Sequence, residues 1–100
     1  MAADAASLAR WGWSLFAGKV VTSDHLREML PIGNAIQGLG IERLSDFAPT
    51  MAYGHTGSQP GYAALLAVLP AQGIVVVCFG NDENADVSGA ARELVKALAP

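Results

Sequence analysis

The residues whose types and spacing could support chemistry are His55-Thr56-Gly57-Ser58, within AYGHTGSQPGY. The glycines around them would let a ligand approach the backbone closely, and the two hydroxyl groups could bind its polar atoms. A backbone N–H at the edge of a strand could also donate a hydrogen bond to a developing oxyanion. These residue types are equally common in turns, so a glycine-rich hairpin without a chemical role is the alternative interpretation.

A complete site for nucleophilic catalysis would also need an activated serine, and the sequence contains none in a recognisable arrangement. No serine lies in the G-x-S-x-G turn that presents the nucleophile of α/β-hydrolases. None of the six serines has a lysine three residues later, the spacing that puts a lysine one helical turn away. His55 could act as a base in principle, but the chain lacks the nucleophile that it would activate.

The composition indicates one globular domain and excludes several classes of function. The chain has 100 residues, 52% of them hydrophobic, and a formal net charge of −3. Its 6 Lys and Arg residues are scattered singly, which argues against a nucleic-acid surface. The single cysteine, Cys78, lies in an apolar run, which predicts a buried free thiol, and no spacing indicates a metal or another cofactor.

Two apolar stretches, 62–69 and 74–80, are each too short to span a membrane. The N-terminal residues have neither a basic leader nor an apolar run. We therefore expect a soluble chain without a signal peptide or a transmembrane segment.

The hydrophobic pattern predicts an α+β domain in which helices at both ends of the chain flank an antiparallel sheet of about four strands. Short connections favour a meander, because parallel strands need a crossover of about a dozen residues or more. The predicted helices cover about 4–17, 23–30 and 84–98, and the predicted strands about 36–44, 50–56, 61–69 and 73–80, in a single domain over 1–100.

The last two predicted strands are apolar on both faces, which is typical of strands that are covered on both sides of the sheet. Three helices, one of them very short, would hardly cover two faces of a four-stranded sheet. We therefore expect either self-association of the chain or a layer that the chain itself does not contain.

The segment YGHTGSQPGYAALLAVLPAQGIVVVCFGND resembles the serine β-lactamase-like family, which includes class C β-lactamases, D-alanyl-D-alanine carboxypeptidases and related esterases. His55-Thr56-Gly57 matches the family's third motif, K-T-G or H-T-G on a central strand, and 57–62 matches its G-x-x-P-G-Y continuation. Upstream, LARWGWSLFAGKVVTSDHLREM and GLGI (38–41) resemble the helix, loop and G-L-G strand that precede this motif. The resemblance covers nearly the whole chain. It implies the C-terminal part of the family's fold, because the S-x-x-K and Y-x-N elements normally lie well before this region.

The resemblance implies a role for each residue of the H-T-G segment. Ser58 would contribute its backbone N–H to the oxyanion hole, paired with the N–H of the absent nucleophilic serine. The side chains of Thr56 and Ser58 would meet the substrate's carboxylate or leaving group beside Gly57. His55 would shape the electrostatics around the absent serine and tyrosine. A histidine at this position points to the carboxypeptidase and esterase branches.

Two functions follow as expectations. In the first, the chain is the C-terminal part of a serine hydrolase that acts on β-lactams, D-Ala peptides or small esters through an acyl-serine. It would use no cofactor, would be inactive alone and would bind substrate only together with a complementing N-terminal segment. In the second, the chain is a non-catalytic module that forms a homo-oligomer or binds a partner through an uncovered sheet face, and the H-T-G residues are relics.

Overall fold

The computed structural model describes residues 2–98 and contains three α-helices and four β-strands in that range. The helices are α1 (Ala5–Phe16), α2 (Ser23–Met29) and α3 (Val87–Leu98), and the strands are β1 (Glu42–Arg43), β2 (Tyr53–Gln59), β3 (Tyr62–Leu69) and β4 (Ile74–Gly80). Neighbouring strands pair antiparallel in chain order, β1-β2-β3-β4. The predicted α+β class and antiparallel meander are confirmed. Among the described residues, no helix has the length and apolar character needed to cross a membrane.

The β2–β3 hairpin carries the H-T-G segment. Gln59 pairs with Tyr62, so Pro60 and Gly61 form a two-residue turn between the strands. Gly61 has a φ of 86°, which glycine adopts without the steric cost that a side chain would add. Pro60, at the first position of the turn, has the fixed negative φ that this position requires. This turn sets the register of the hairpin, which places Thr56 opposite Leu65 and His55 opposite Leu66.

The two longer helices lie on opposite faces of the sheet. Leu65 of β3 is fully buried in a cluster with Ala91 of α3. The next residue, Leu66, points to the other face because side chains alternate along a strand. There it lies against α1, and a Cβ added at Gly12 of α1 would be 3.0 Å from the Leu66 side chain. Both helices contact both β3 and β4. A helix therefore lies on each face of these two apolar strands, while Tyr62 and Phe79 at one end of the α1 face stay exposed.

A second, smaller cluster joins α1, α2 and the start of β1. Leu15, Leu26 and Ile41 are buried together there, with Met29 and Tyr53 packed against them. Both helices begin at capping side chains, since Asp4 accepts a hydrogen bond from the Ser7 N–H at 2.7 Å and Thr22 accepts one from the His25 N–H at 3.3 Å. This cluster anchors the backbone immediately before Glu42.

The predicted strand over 36–44 is wrong in extent, because only Glu42–Arg43 pairs as a strand. Before it, the G-L-G residues form a turn in which the Gly38 N–H donates to the Ile41 carbonyl at 2.7 Å. Gly40 has a φ of 77°, which takes the chain out of the extended conformation. An isolated bridge between Gln37 and Glu42 spans this turn.

Two further boundaries differ from the prediction. Strand β2 covers 53–59 instead of 50–56, so Gly57 and Ser58 belong to the strand and not to a turn. Helix α3 begins at Val87 instead of residue 84, because Asp86 accepts a hydrogen bond from the Gly89 N–H at 2.9 Å and thereby caps the helix. The polar residues 81–84 therefore precede the helix.

Candidate active site

The candidate site is the edge of β2 that is left open where β1 ends. Strand β1 pairs with only the first two residues of β2, Glu42 with Gly54 and Arg43 with Tyr53. From His55 to Gln59, all residues of β2 are exposed. Within the described part of the chain, the β1 side of this segment has no strand partner.

The N–H of Thr56 points out of this edge, because it donates to Oε1 of Glu42 at 3.1 Å. Backbone N–H groups two residues apart on a strand point the same way. The N–H of Ser58 is therefore directed to the same side as that of Thr56, beyond the end of β1. This is the geometry required of a backbone donor that serves a ligand alongside the strand.

Glu42 connects the residues of the edge. Its Oε1 lies 3.5 Å from Oγ1 of Thr56 and 3.4 Å from Nδ1 of His55, in addition to the hydrogen bond from the Thr56 N–H. Its Oε2 accepts a hydrogen bond from Nε2 of Gln37 at 2.7 Å. Only 16% of the Glu42 side chain is exposed, so these contacts hold it against the strand.

The surroundings of Glu42 keep its carboxylate ionised. Burial is the largest single influence and raises the pKa of Glu42. The hydrogen bonds from the Thr56 N–H and the Gln37 amide, together with the charge that His55 can carry, act in the opposite direction. Together they bring the pKa of Glu42 below its ordinary value. The site therefore carries a negative charge at neutral pH.

The predicted site residues share one strand but not one face. Thr56 and Ser58 pair with Leu65 and Ala63, so their side chains lie on the α3 face, whereas His55 lies on the α1 face. His55 still reaches the edge, because its Nδ1 contacts the Thr56 carbonyl and lies close to Glu42. The structure thus brings His55 and Thr56 together at Glu42, while Ser58 offers an exposed hydroxyl and an outward N–H.

Glu42 and Gln37 were not identified by the sequence analysis. Glu42 lies 14 residues before Thr56 and reaches it through the β1–β2 pairing. In the sequence, Glu42 is only a charged residue that follows the G-L-G segment, and such residues are common in exposed loops. Its position beside Thr56 becomes apparent only from the β1–β2 register.

Neither the single cysteine nor the carboxylates and histidines of the described residues indicate a second reactive site or a metal site. Cys78 is half-buried rather than fully buried, and burial raises the pKa of its thiol, which disfavours the reactive thiolate. Among residues 2–98, the structure contains no group of three or more His, Cys, Asp or Glu side chains placed to hold a metal ion.

No protein-family model and no curated protein sequence matches this chain. The structure, however, is similar to the crystal structure of a D-amino acid amidase from Ochrobactrum anthropi SV3 in complex with L-phenylalanine. The TM-score is 0.75, with 17% sequence identity, and the match covers 96% of this chain but 30% of the amidase chain. The amidase has the serine β-lactamase and penicillin-binding-protein fold. At this level of identity the likeness establishes the fold alone, which this chain shares with about 30% of the amidase chain.

Proposed function

We propose that this chain is the C-terminal part of a serine hydrolase with the β-lactamase-like fold and that β2 forms one wall of its acyl-transfer site. The observation that carries the proposal is the outward N–H of Ser58 on an open strand edge beside His55. The likeness to an amidase supports the same interpretation, because amide hydrolysis needs such a donor.

The proposed reaction divides the work between this chain and a segment that carries the nucleophile. A serine of that segment attacks the carbonyl carbon of a β-lactam, a D-Ala peptide, an ester or an amide, and the carbonyl oxygen becomes an oxyanion. The Ser58 N–H donates to that oxyanion, together with the N–H of the serine itself. The oxyanion then collapses, the carbonyl C–N or C–O bond breaks, and the proton lost by the serine hydroxyl passes to the leaving nitrogen or oxygen, which in a β-lactam stays attached through the opened ring. Water hydrolyses the resulting acyl-serine. His55 adjusts the electrostatic field at the reacting groups.

Labelling with a fluorophosphonate tests this proposal. The chain alone should form no covalent adduct, because it lacks the activated serine. A graft of the chain in place of the matched 30% of the amidase should regain labelling and amidase activity. In the graft, Ser58→Pro should lower kcat by about 10²–10³, the usual effect of losing one oxyanion donor. Stoichiometric labelling of any serine in the chain alone would contradict the proposal.

Ser58→Ala is the matched control for the proline variant, because it removes the hydroxyl and keeps the backbone N–H. We expect its kcat to stay well above that of Ser58→Pro. Proline is compatible with this position, since the lost N–H points out of the sheet and makes no ladder hydrogen bond. Circular dichroism of both grafts establishes that they fold. Equal activity of the two folded variants would remove Ser58 from the oxyanion hole.

An apolar patch on the α1 face favours a second candidate function, a module that self-associates. Trp11, Tyr62 and Phe79 are 49%, 65% and 48% exposed, and Phe79 lines one pocket with Tyr62 and a second pocket with Trp11. A patch of this kind on a small domain marks a contact surface.

If the chain self-associates through this patch, light scattering of the purified chain should give the mass of a dimer, and Phe79→Ser should give a monomer. Leu39→Ser, at a residue outside the patch that is 69% exposed, is the control. A monomeric wild-type chain would rule this function out.

A further inference from the structure

The fixed charge at the open edge of β2 is negative, and no Lys or Arg side chain neutralises it among the described residues. Among residues 2–98, no Lys or Arg nitrogen lies within 4.0 Å of the Glu42 carboxylate. The neighbouring Arg43 turns away from the edge, and its guanidinium donates to the Gly33 carbonyl at 2.7 Å. The nearby ionisable partner is His55, whose Nδ1 lies 3.4 Å from Oε1 of Glu42.

Glu42 also occupies two groups of the edge that could otherwise bind a ligand. It accepts the hydrogen bond of the Thr56 N–H at 3.1 Å, and its Oε1 lies 3.5 Å from the Thr56 hydroxyl. The next outward N–H along the edge is that of Ser58, two residues further, which is about 7 Å away at the rise of a β-strand. A carbonyl bound at Ser58 therefore sits about 7 Å from the ionised carboxylate.

From this arrangement we infer that Glu42 determines specificity by disfavouring acyl donors with a carboxylate next to the reacting carbonyl. The inference rests on the proposed function for the identity of that carbonyl. Neutral esters and amides, and acyl donors with a cationic amine, avoid the repulsion between like charges. A donor with an adjacent carboxylate meets both the repulsion and a Thr56 hydroxyl that is already engaged. The effect of one such charge near a protein surface is about tenfold in affinity.

Binding of two peptides to the ¹⁵N-labelled chain tests the inference without any chemical step. The probes are N-acetyl-D-Ala-D-Ala and the same peptide with a C-terminal carboxamide, which differ only in the charge of the end group. At about pH 8 both peptides should shift the Ser58 amide resonance, and the carboxamide should have a Kd about tenfold lower. Glu42→Gln should tighten carboxylate binding about tenfold and leave carboxamide binding within about twofold.

A salt titration of the wild-type chain is the second measurement. At about 1 M NaCl the screening length falls to about 3 Å, so the preference for the carboxamide should largely disappear. A merely structural role of Glu42 would not make the preference depend on salt. The Thr56 N–H can still donate to the amide oxygen of Gln in Glu42→Gln, and its amide spectrum shows whether the fold is kept.

Equal or tighter binding of the carboxylate peptide, a preference unchanged in folded Glu42→Gln, or no shift with either peptide would each overturn the inference. These outcomes are separate from failure of the proposed function. If the peptides are distinguished but the amidase graft is not labelled, the charge selection stands and the hydrolase assignment fails. If the graft is labelled but the peptides are not distinguished, the hydrolase assignment stands and the role of Glu42 fails.

Discussion

Gly54→Ala should lower the free energy of unfolding by about 3 kcal/mol or more, a large part of the roughly 5–15 kcal/mol that stabilises a domain of this size. Gly54 is buried and pairs with Ala67 across the hairpin. A Cβ at this position would lie 1.8 Å from the carbonyl oxygen of Leu66 and 3.2 Å from the Cα of Ala67. Both are backbone atoms of β3, so no side-chain rotation relieves the overlap and the two strands must separate.

The matched control is Gly57→Ala, which makes the same chemical change three residues later on the same strand. A Cβ at Gly57 would meet nothing within 4 Å, and its φ is not positive. Urea unfolding followed by circular dichroism should therefore place this variant within about 1 kcal/mol of the wild type, because the main remaining effect of alanine is to make the unfolded chain less flexible. Equal losses at the two positions would mean that the β2–β3 register differs from the one described here.

The consequence of Gly54→Ala reaches the candidate site through Glu42. Glu42 pairs with Gly54, and the same pairing brings its carboxylate to Thr56 and His55. Separation of the strands at Gly54 should therefore shift the amide resonances of Thr56 and Ser58 in whatever fraction of the variant stays folded. Gly57→Ala should leave the Glu42 contacts in place.

The sequence predicts those parts of the fold in which local signals agree. Strands β3 and β4 cover 62–69 and 74–80, against 61–69 and 73–80 from the pattern, because long apolar runs end at turn residues on both sides. Helix α1 covers 5–16, where apolar spacing, a capping Asp4 and Gly18 all indicate the same element. In these segments the neighbours that stabilise the element are close in sequence.

The sequence is misleading where pairing with a distant segment decides the conformation. The polar, glycine-rich residues 57–59 lie beyond the predicted strand, yet they belong to β2 because β3 supplies the partners for their backbone groups. The residues 36–41 read as a strand, yet the positive φ of Gly40 and the Gly38–Ile41 hydrogen bond make them a turn. Local propensity cannot reveal either outcome, since it does not contain the register.

The residues of the candidate site also differ in whether the sequence alone could identify them. His55, Thr56, Gly57 and Ser58 could be identified as a group, because they are contiguous and match a known motif. Glu42 could not, since it is 14 residues from Thr56 and its role depends on pairing opposite Gly54 and not opposite a neighbouring residue. A shift of one residue would turn its side chain to the other face.

Leu65→Ala should cost about 2–5 kcal/mol of unfolding free energy, the usual range for removing most of a buried leucine side chain. Leu65 is 1% exposed and lies in the cluster between β3 and α3, directly opposite Thr56 on β2 and Cys78 on β4. Its removal leaves a cavity behind the edge that carries the site. Urea unfolding should show a lower midpoint for Leu65→Ala than for the wild type. The control Leu39→Ala should have nearly the wild-type midpoint, because the Leu39 side chain is 69% exposed.

The size of the Leu65→Ala effect also tests whether this chain forms its own core. A loss in the expected range would mean that the α3-side cluster is packed in the isolated chain, so the open edge of β2 is held on a rigid support before any other segment joins it. A loss below about 1 kcal/mol, with Leu39→Ala unchanged, would mean that this cluster is loosely packed. In that case the sheet would order only together with a second segment, and the binding measurements on the isolated chain would have to fail with it.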